Sequence, residues 1–132
     1  MLLTRASEYA LLSLDTIRKS DKPIGTEQLA NQLSIPKSFL AKILQNLAKH
    51  NILESRKGAH GGFVLAKDIN EITINSIIYV AEGKPPAVFD CANYSHTCPN
   101  GAIGTCAISP FLANFQTKID DFLHDLTLGD IL

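Results

Sequence analysis

Residues 26–65 constrain the fold of this chain more than any other stretch. Residues 26–33 and 36–50 each place apolar side chains at helical spacing, and only the connection Ser34-Ile35-Pro36 separates them. Pro36 suits the first turn of the second helix, because the N–H that proline lacks has no helical partner there. Two short helices joined by so short a turn predict a helix-turn-helix.

Side-chain types within this unit indicate how each helix begins and which face is buried. Thr26 is a good N-cap for the first helix. On the second helix, Phe39 is expected to share the buried face with four aliphatic residues, Leu40, Ile43, Leu44 and Leu47.

A glycine-rich hairpin follows the second helix directly. Residues 52–56 and 63–65 have the composition of strands, and the turn between them contains Gly58, Gly61 and Gly62. Glycine lets the backbone approach another surface closely, and cations stand beside these glycines. A hairpin in this position predicts the wing of a winged helix-turn-helix domain.

Three further segments show helical periodicity: residues 4–19, 73–83 and 110–126. Thr73 is expected to cap the middle one, and Gly83 to end it. The last repeats apolar residues at steps of three and four, close to a heptad seam. Its members, called the apolar stripe below, are Phe111, Phe115, Ile119, Phe122 and Leu126.

We therefore expect a mainly α-helical protein with a small β-hairpin wing. The winged helix-turn-helix domain is assigned to residues 1–83, a cysteine-bearing loop to residues 84–109, and a long C-terminal helix with a tail to residues 110–132. A connection as long as 84–109 without regular structure is usually functional or disordered.

The composition is that of a folded protein in water. The chain has 132 residues, of which 45% are apolar and 19% charged, so one domain is expected and long disorder is not. No apolar run approaches the roughly 18 residues of a membrane span. Arg5, Glu8 and Asp15 interrupt the first apolar stretch, unlike a signal peptide, so we expect a cytoplasmic protein without a membrane partner.

The net charge of −1 conceals two halves of opposite sign. Residues 1–68 carry about +4 and residues 69–132 about −5. A basic half that contains a helix-turn-helix favours contact with a polyanion.

DNA-contacting candidates lie at the start of the second short helix and in the hairpin. Base edges and phosphates meet short polar side chains and cations near the start of a recognition helix. The residues there are Pro36, Lys37, Ser38 and Lys42, and those of the hairpin tip are Arg56, Lys57, Gly58 and His60. A cation on a narrow tip suits the minor groove. The alternative is a solvated helix face and a plain hairpin with surface charges.

A phosphate-binding loop is excluded at the hairpin. Gly58, Gly61 and Gly62 are not followed by Lys-Ser/Thr, and they open a strand instead of a helix.

Three cysteines, Cys91, Cys98 and Cys106, stand in one loop with six and seven residues between them. An odd number in a reducing compartment disfavours a disulfide framework, and the lack of paired CxxC motifs disfavours structural zinc. Thiolates are the preferred ligands of iron–sulfur clusters, with Glu8 and His96 as further donors. The alternative is three free thiols.

An enzyme is not expected. Cys98 with His96 could form a nucleophile and its base, but no oxyanion motif or substrate pocket is recognisable. A small-molecule substrate is therefore not expected either.

The chain resembles the Rrf2 family of bacterial winged-helix regulators, which includes iron–sulfur regulators, nitric-oxide sensors and iron regulators. The resemblance spans nearly the whole chain. It rests on Leu3-Thr4, Glu8-Tyr9-Ala10-Leu11, Ile35-Pro36 through Leu40, Lys42-Ile43-Leu44, Leu47, Gly58 through Ala66, Ile72-Thr73-Ile74, the three-cysteine loop and Leu126 through Asp130.

The resemblance implies a homodimer that binds a palindromic operator on double-stranded DNA, acting as a repressor. The C-terminal helix would be a dimerisation helix that buries the apolar stripe against its copy. Ser38 with its neighbours and Lys57-Gly58 would contact DNA, with the wings in minor grooves. Position 41 is Ala where some members carry an acidic residue, so the operator sequence is expected to differ.

The resemblance also implies that Cys91, Cys98 and Cys106 hold a 2Fe-2S or 4Fe-4S cluster. The family's usual gaps have five residues, so the cluster is expected to sit differently here. Ser109 stands where some members have a ligating His, and Glu8 of the other subunit is the expected fourth ligand, with His96 as the local alternative. Loss of the cluster would shift the dimer between DNA-competent and incompetent states. Some members are instead metal-free and respond to thiol chemistry or a protein partner.

Overall fold

The computed structural model describes residues 3–88 and 106–132. Its elements, in chain order, are α1 (Arg5–Lys19), α2 (Thr26–Leu33), α3 (Lys37–Lys49), β1 (Leu53–Arg56), β2 (Gly62–Leu65), a 3₁₀ turn (Ile69–Glu71), α4 (Ile74–Glu82), α5 (Ser109–Asp125) and α6 (Leu128–Ile131). The predicted fold class, mainly α-helical with a two-stranded antiparallel hairpin, is confirmed.

The core lies between α1, α3 and α4, with α2 and the base of the hairpin against it. Its central members are completely or almost completely buried: Ala10, Leu14, Leu29, Leu40, Leu44, Leu47, Leu53, Ile77 and Ile78. On α1 and α3 these residues recur at steps of three and four, so one apolar face of each helix packs into the core.

The hairpin is attached to the rest of the domain by a third stretch of extended backbone. β1 and β2 pair antiparallel from Leu53↔Leu65 to Arg56↔Gly62. Phe63 donates its N–H to the carbonyl of Ile24 at 2.8 Å, and Ile24 donates back to Phe63 at 3.2 Å. The segment before α2 therefore fixes the direction in which the hairpin projects.

Several helix ends agree with the sequence. Thr4 accepts from the N–H of Ala6 at the start of α1, and Thr73 accepts from Ser76 at the start of α4. Gly83 ends α4 in the left-handed conformation, with φ 75°.

Two expectations in the helix-turn-helix were wrong. The N-cap of α2 is Gly25, and Thr26 is the first helical residue. Phe39 is not on the buried face of α3, because 44% of it is exposed. It precedes Leu40 by one position, about 100° around the helix, which places it at the edge of the buried stripe. Its ring instead meets that of Tyr9 edge-on, with 5.6 Å between centroids.

The C-terminal residues, expected only as a tail, return to the winged domain. Ile74 donates to the carbonyl of Leu126 at 2.8 Å, and Leu128 donates to Ile72 at 2.7 Å. A capping box between Thr127 and Asp130 then starts α6, whose Leu128 is completely buried. Both the backbone N–H and the hydroxyl of Thr127 donate to Asp130, which lowers the pKa of that carboxyl.

Among residues 3–88 and 106–132, no helix combines the length and the apolar character needed to cross a membrane.

Candidate nucleic-acid interface

The start of α3 presents free backbone and side-chain donors to solvent. Pro36 is extended, with ψ 127°, and makes no side-chain cap, so the first-turn N–H groups of α3 have no capping side chain. Lys37, Ser38 and Lys42 are exposed beside them. The positive end of a helix dipole with two lysines attracts phosphate.

The ion pair nearest to this helix start is weak. The Nζ of Lys37 lies 3.7 Å from the carboxylate of Glu27, and both side chains are more than half exposed. Such pairs contribute at most about 1 kcal/mol in water. Lys37 can therefore exchange Glu27 for a phosphate at little cost.

The hairpin tip is a second exposed group of cations. Arg56, Lys57, Gly58 and His60 are all exposed, and Arg56 lies 3.5 Å from Glu54 in an exposed pair. Gly61 donates to the carbonyl of Gly58 at 3.0 Å, and a Cβ on Gly61 would collide with the carbonyl of Arg56. The turn is therefore held tightly by backbone alone, which leaves its side chains free to contact a ligand.

The structure thus places all eight predicted DNA-contacting residues at the surface, in two groups. A short turn joins α3, which carries the first group, to β1, the first strand of the hairpin that carries the second group. Asn51 adopts a left-handed conformation, with φ 61°, and Ile52 donates to Leu47 at 3.0 Å, so β1 starts directly against the end of α3.

The predicted metal ligands are described only in part. Cys106 is a free thiol, half-buried, in the residues just before α5, and its carbonyl accepts from Ser109 at 3.3 Å. Cys91, Cys98 and His96 lie outside the described residues. Within the described ranges, no group of three or more His, Cys, Asp and Glu side chains is arranged to hold a metal ion.

Glu8 is available as an oxygen ligand. Its side chain is 49% exposed and pairs with Arg5 at 2.7 Å, in an ion pair that is itself open to solvent. Breaking this ion pair, so that Glu8 can bind a metal, costs little free energy. Among the described residues, the free thiol of Cys106 is the ligand type that iron–sulfur clusters prefer, and the accessible carboxylate of Glu8 is a further donor.

Sequence reasoning missed a clamp between the start of α1 and the end of α4. Glu82 accepts from Ser7 at 2.6 Å and from both the backbone N–H and the hydroxyl of Thr4. Burial alone would raise the pKa of Glu82, but these hydrogen bonds outweigh it and lower the pKa. The helix that bears Glu8 is therefore fixed to the last residue of α4, two positions before the cysteine-bearing loop begins.

The comparisons with known proteins agree with this geometry. Residues 3–132 match the family model "Rrf2: Iron-dependent Transcriptional regulator". An HTH-type transcriptional regulator of Aquifex aeolicus is 31% identical over 133 residues, covering 100% of this chain and 92% of the relative. The HTH-type transcriptional repressor NsrR of Streptomyces coelicolor is 27% identical, covering 100% of this chain and 88% of the relative.

Solved structures show the same fold. A transcriptional regulator from Listeria innocua has a TM-score of 0.76 at 26% identity and covers 97% of this chain and 83% of that one. CymR, the global cysteine regulator of B. subtilis, has a TM-score of 0.70 at 20% identity, covering 99% and 95%. The sequence match over nearly the full length and the winged-helix fold lead to one conclusion: this chain belongs to the Rrf2 family of DNA-binding transcriptional regulators.

Proposed function

We propose that this regulator is a dimeric repressor whose two recognition helices bind a palindromic operator. The observation that carries the DNA interface is the exposure of all eight candidate residues, at the start of α3 and the hairpin tip. The residues at the start of α3 are suited to contact base edges in the major groove, and Lys57 at the hairpin tip is suited to the adjacent minor groove.

A charge removal at the hairpin tip tests the interface. Each phosphate contact contributes a slope of about −0.9 to the dependence of log K on log salt concentration. Lys57→Ala is therefore expected to reduce that slope by about one unit. Fluorescence anisotropy with labelled duplex DNA, from low to moderate KCl concentration, measures it.

Lys49→Ala is the matched control, since it removes the same charge from the exposed last turn of α3. It should leave the slope unchanged. A slope that responds to Lys49 and not to Lys57 would place the DNA on another surface.

We further propose that DNA binding is controlled at the three cysteines. Cys91, Cys98 and Cys106 of one subunit and Glu8 of the other would hold an iron–sulfur cluster, with His96 as the alternative to Glu8. When bound, the cluster would supply bonds between iron and these ligands, which form only when iron is present and which respond to its redox state. The free thiol of Cys106 and the exposed carboxylate of Glu8 support this assignment.

The chain itself offers a route from Glu8 to the DNA interface. Tyr9, next to Glu8 on α1, contacts Phe39, next to Ser38 on α3. The Glu82 clamp on Thr4 and Ser7 holds the same end of α1. Movement of α1 would therefore reach the start of the recognition helix through one aromatic contact.

Thiol chemistry without metal is the second candidate function. The half-buried free thiol of Cys106 favours it equally well. Mass spectrometry under oxidising and reducing conditions separates the two, since a thiol switch must change its number of free thiols reversibly while containing no iron.

A further inference from the structure

Phe39 is the one large apolar side chain of α3 that the fold leaves open to solvent. It is 44% exposed, whereas the other large apolar residues of this helix, Leu40, Ile43, Leu44 and Leu47, are at most 5% exposed. A single apolar residue at a protein surface is common and by itself indicates nothing. The surroundings of this ring therefore decide what it can contact.

The ring lies beside the candidate DNA contacts at the start of α3. Phe39 is the third residue of this helix, in the first turn, where a recognition helix meets base edges. Successive residues are about 100° apart around a helix, so Phe39 lies about 60° from Lys42, which follows it by three positions. Ser38, directly before Phe39, is exposed, as is Lys42. Phe39 therefore borders the face that carries both of these candidates.

The ring of Phe39 is held in place from one side. Tyr9 on α1 meets it edge-on, with 5.6 Å between the ring centroids and 87° between the ring planes. Edge-to-face pairs of this kind are favourable, so the contact restricts the rotation of the Phe39 side chain before any ligand binds. A side chain that is already oriented loses less conformational entropy when its open part is covered. The contact with Tyr9 thus prepares the exposed part of the ring for a partner.

The charges around Phe39 favour DNA as that partner. Lys37 and Lys42 stand on the same helix, and the ion pair between Lys37 and Glu27 is exposed and 3.7 Å long. A protein with an apolar patch would have to cover these lysines as well, whereas the phosphates beside a major groove pair with them. Inside that groove, the C5-methyl of thymine is the apolar group that a base edge presents.

We propose that Phe39 is a specificity-determining residue, which packs the open part of its ring on the methyl group of a thymine in the major groove. The inference rests on the proposed DNA interface and adds base recognition to it, since phosphates alone can satisfy Lys37, Ser38 and Lys42. Covering one methyl group changes the affinity about fourfold per half-site. The two half-sites of a dimer together give about fifteenfold.

Deoxyuridine in place of thymine tests this contact, because it removes the methyl group and keeps the base pair. A duplex is selected from random sequences by its binding to the full-length protein, and each symmetric pair of thymines is then replaced in turn. Fluorescence anisotropy measures the Kd. At one symmetric pair, the replacement should weaken binding about fifteenfold. This ratio should stay the same from low to moderate KCl concentration, because a methyl contact releases no counterion.

Variants assign the effect to the ring. Phe39→Ala should bind the thymine and deoxyuridine duplexes with equal affinity. Tyr79→Ala is the matched control, since it removes a 47% exposed aromatic ring from α4, and it should keep the ratio of about fifteenfold. Phe39→Gln is the second variant, should Phe39→Ala not fold: glutamine favours a helix, and its polar amide should show no preference for the methyl group.

A selected duplex in which no symmetric pair of thymines responds to loss of the methyl group would overturn the proposal. A response that persists unchanged in Phe39→Ala would also overturn it, and would assign the methyl contact to another side chain, such as Ala41. Both results require sequence-selective binding. They are therefore distinct from failure of the DNA interface itself, in which no sequence is selected and the salt slope does not respond to Lys57, and which would overturn both proposals.

Discussion

An alanine in place of Gly62 is expected to destabilise the protein by about 3 kcal/mol. Gly62 opens β2 with φ +152°, and a Cβ there would lie 2.6 Å from the carbonyl oxygen of Ile24 and 2.7 Å from the nitrogen of Gly25. These are backbone atoms, which cannot rotate aside as a side chain can. The bridge between Ile24 and Phe63 would have to open, and the hairpin would lose its fixed direction. Urea unfolding followed by circular dichroism measures the change.

Gly25→Ala is the control, since no atom lies within 4 Å of a Cβ added there. Alanine is a poorer N-cap than glycine, so a loss of up to about 1 kcal/mol is expected. Equal effects of the two substitutions would contradict the account of how the hairpin is attached. DNA affinity should fall for Gly62→Ala even at temperatures where the variant remains folded.

Glutamate at both Phe115 and Phe122 is expected to convert the proposed dimer into a monomer. These side chains are 38% and 64% exposed in the single chain, and Phe111, stacked on Phe115, is 62% exposed. Burial of an aromatic side chain contributes roughly 1.5–3 kcal/mol, and each one counts twice in a symmetric dimer. Operator affinity should fall about 100-fold or more, since one recognition helix then binds alone.

Sedimentation analysis gives the mass directly, against 14.4 kDa for one chain. Thr117→Glu, on the same helix and exposed, is the matched control and should remain dimeric. A double variant that keeps the dimer would show that the apolar stripe is not the interface.

The long helices and the hairpin could be predicted because the residues within each element show the apolar periodicity, or the turn glycines, typical of that element. Apart from Phe39, the apolar periodicity of α1, α3 and α4 matches their buried faces, and Thr73 and Gly83 mark the ends of α4 as expected. The four residues of α6 could not be predicted. So short a helix has no stability of its own, and the backbone bonds of Leu126 and Leu128 to residues 72–74 hold it.

The polar clamps lay beyond sequence reasoning for a different reason. Gln116 meets Val88 from 28 positions away, and Ser7 meets Glu82 from 75. On α5 the buried residues are Leu112, Gln116 and Leu123. Ile119 and Leu126 of the apolar stripe pack against the same core, whereas its three phenylalanines are exposed. A glutamine at a buried position carries no local sign of burial. Its spacing of four from Leu112 was the only available signal.

One measurement tests the central claim most directly: the affinity for duplex DNA before and after removal of iron, without oxygen. The duplex used for this measurement is first selected from a pool of random sequences by its binding to the protein. We predict visible absorption with matched iron and sulfide, and a change of about tenfold or more in Kd when the iron is removed. The variant with all three cysteines replaced by alanine should match the iron-free protein. A reconstituted protein that holds no iron, or an unchanged Kd, would contradict control of DNA binding by a cluster.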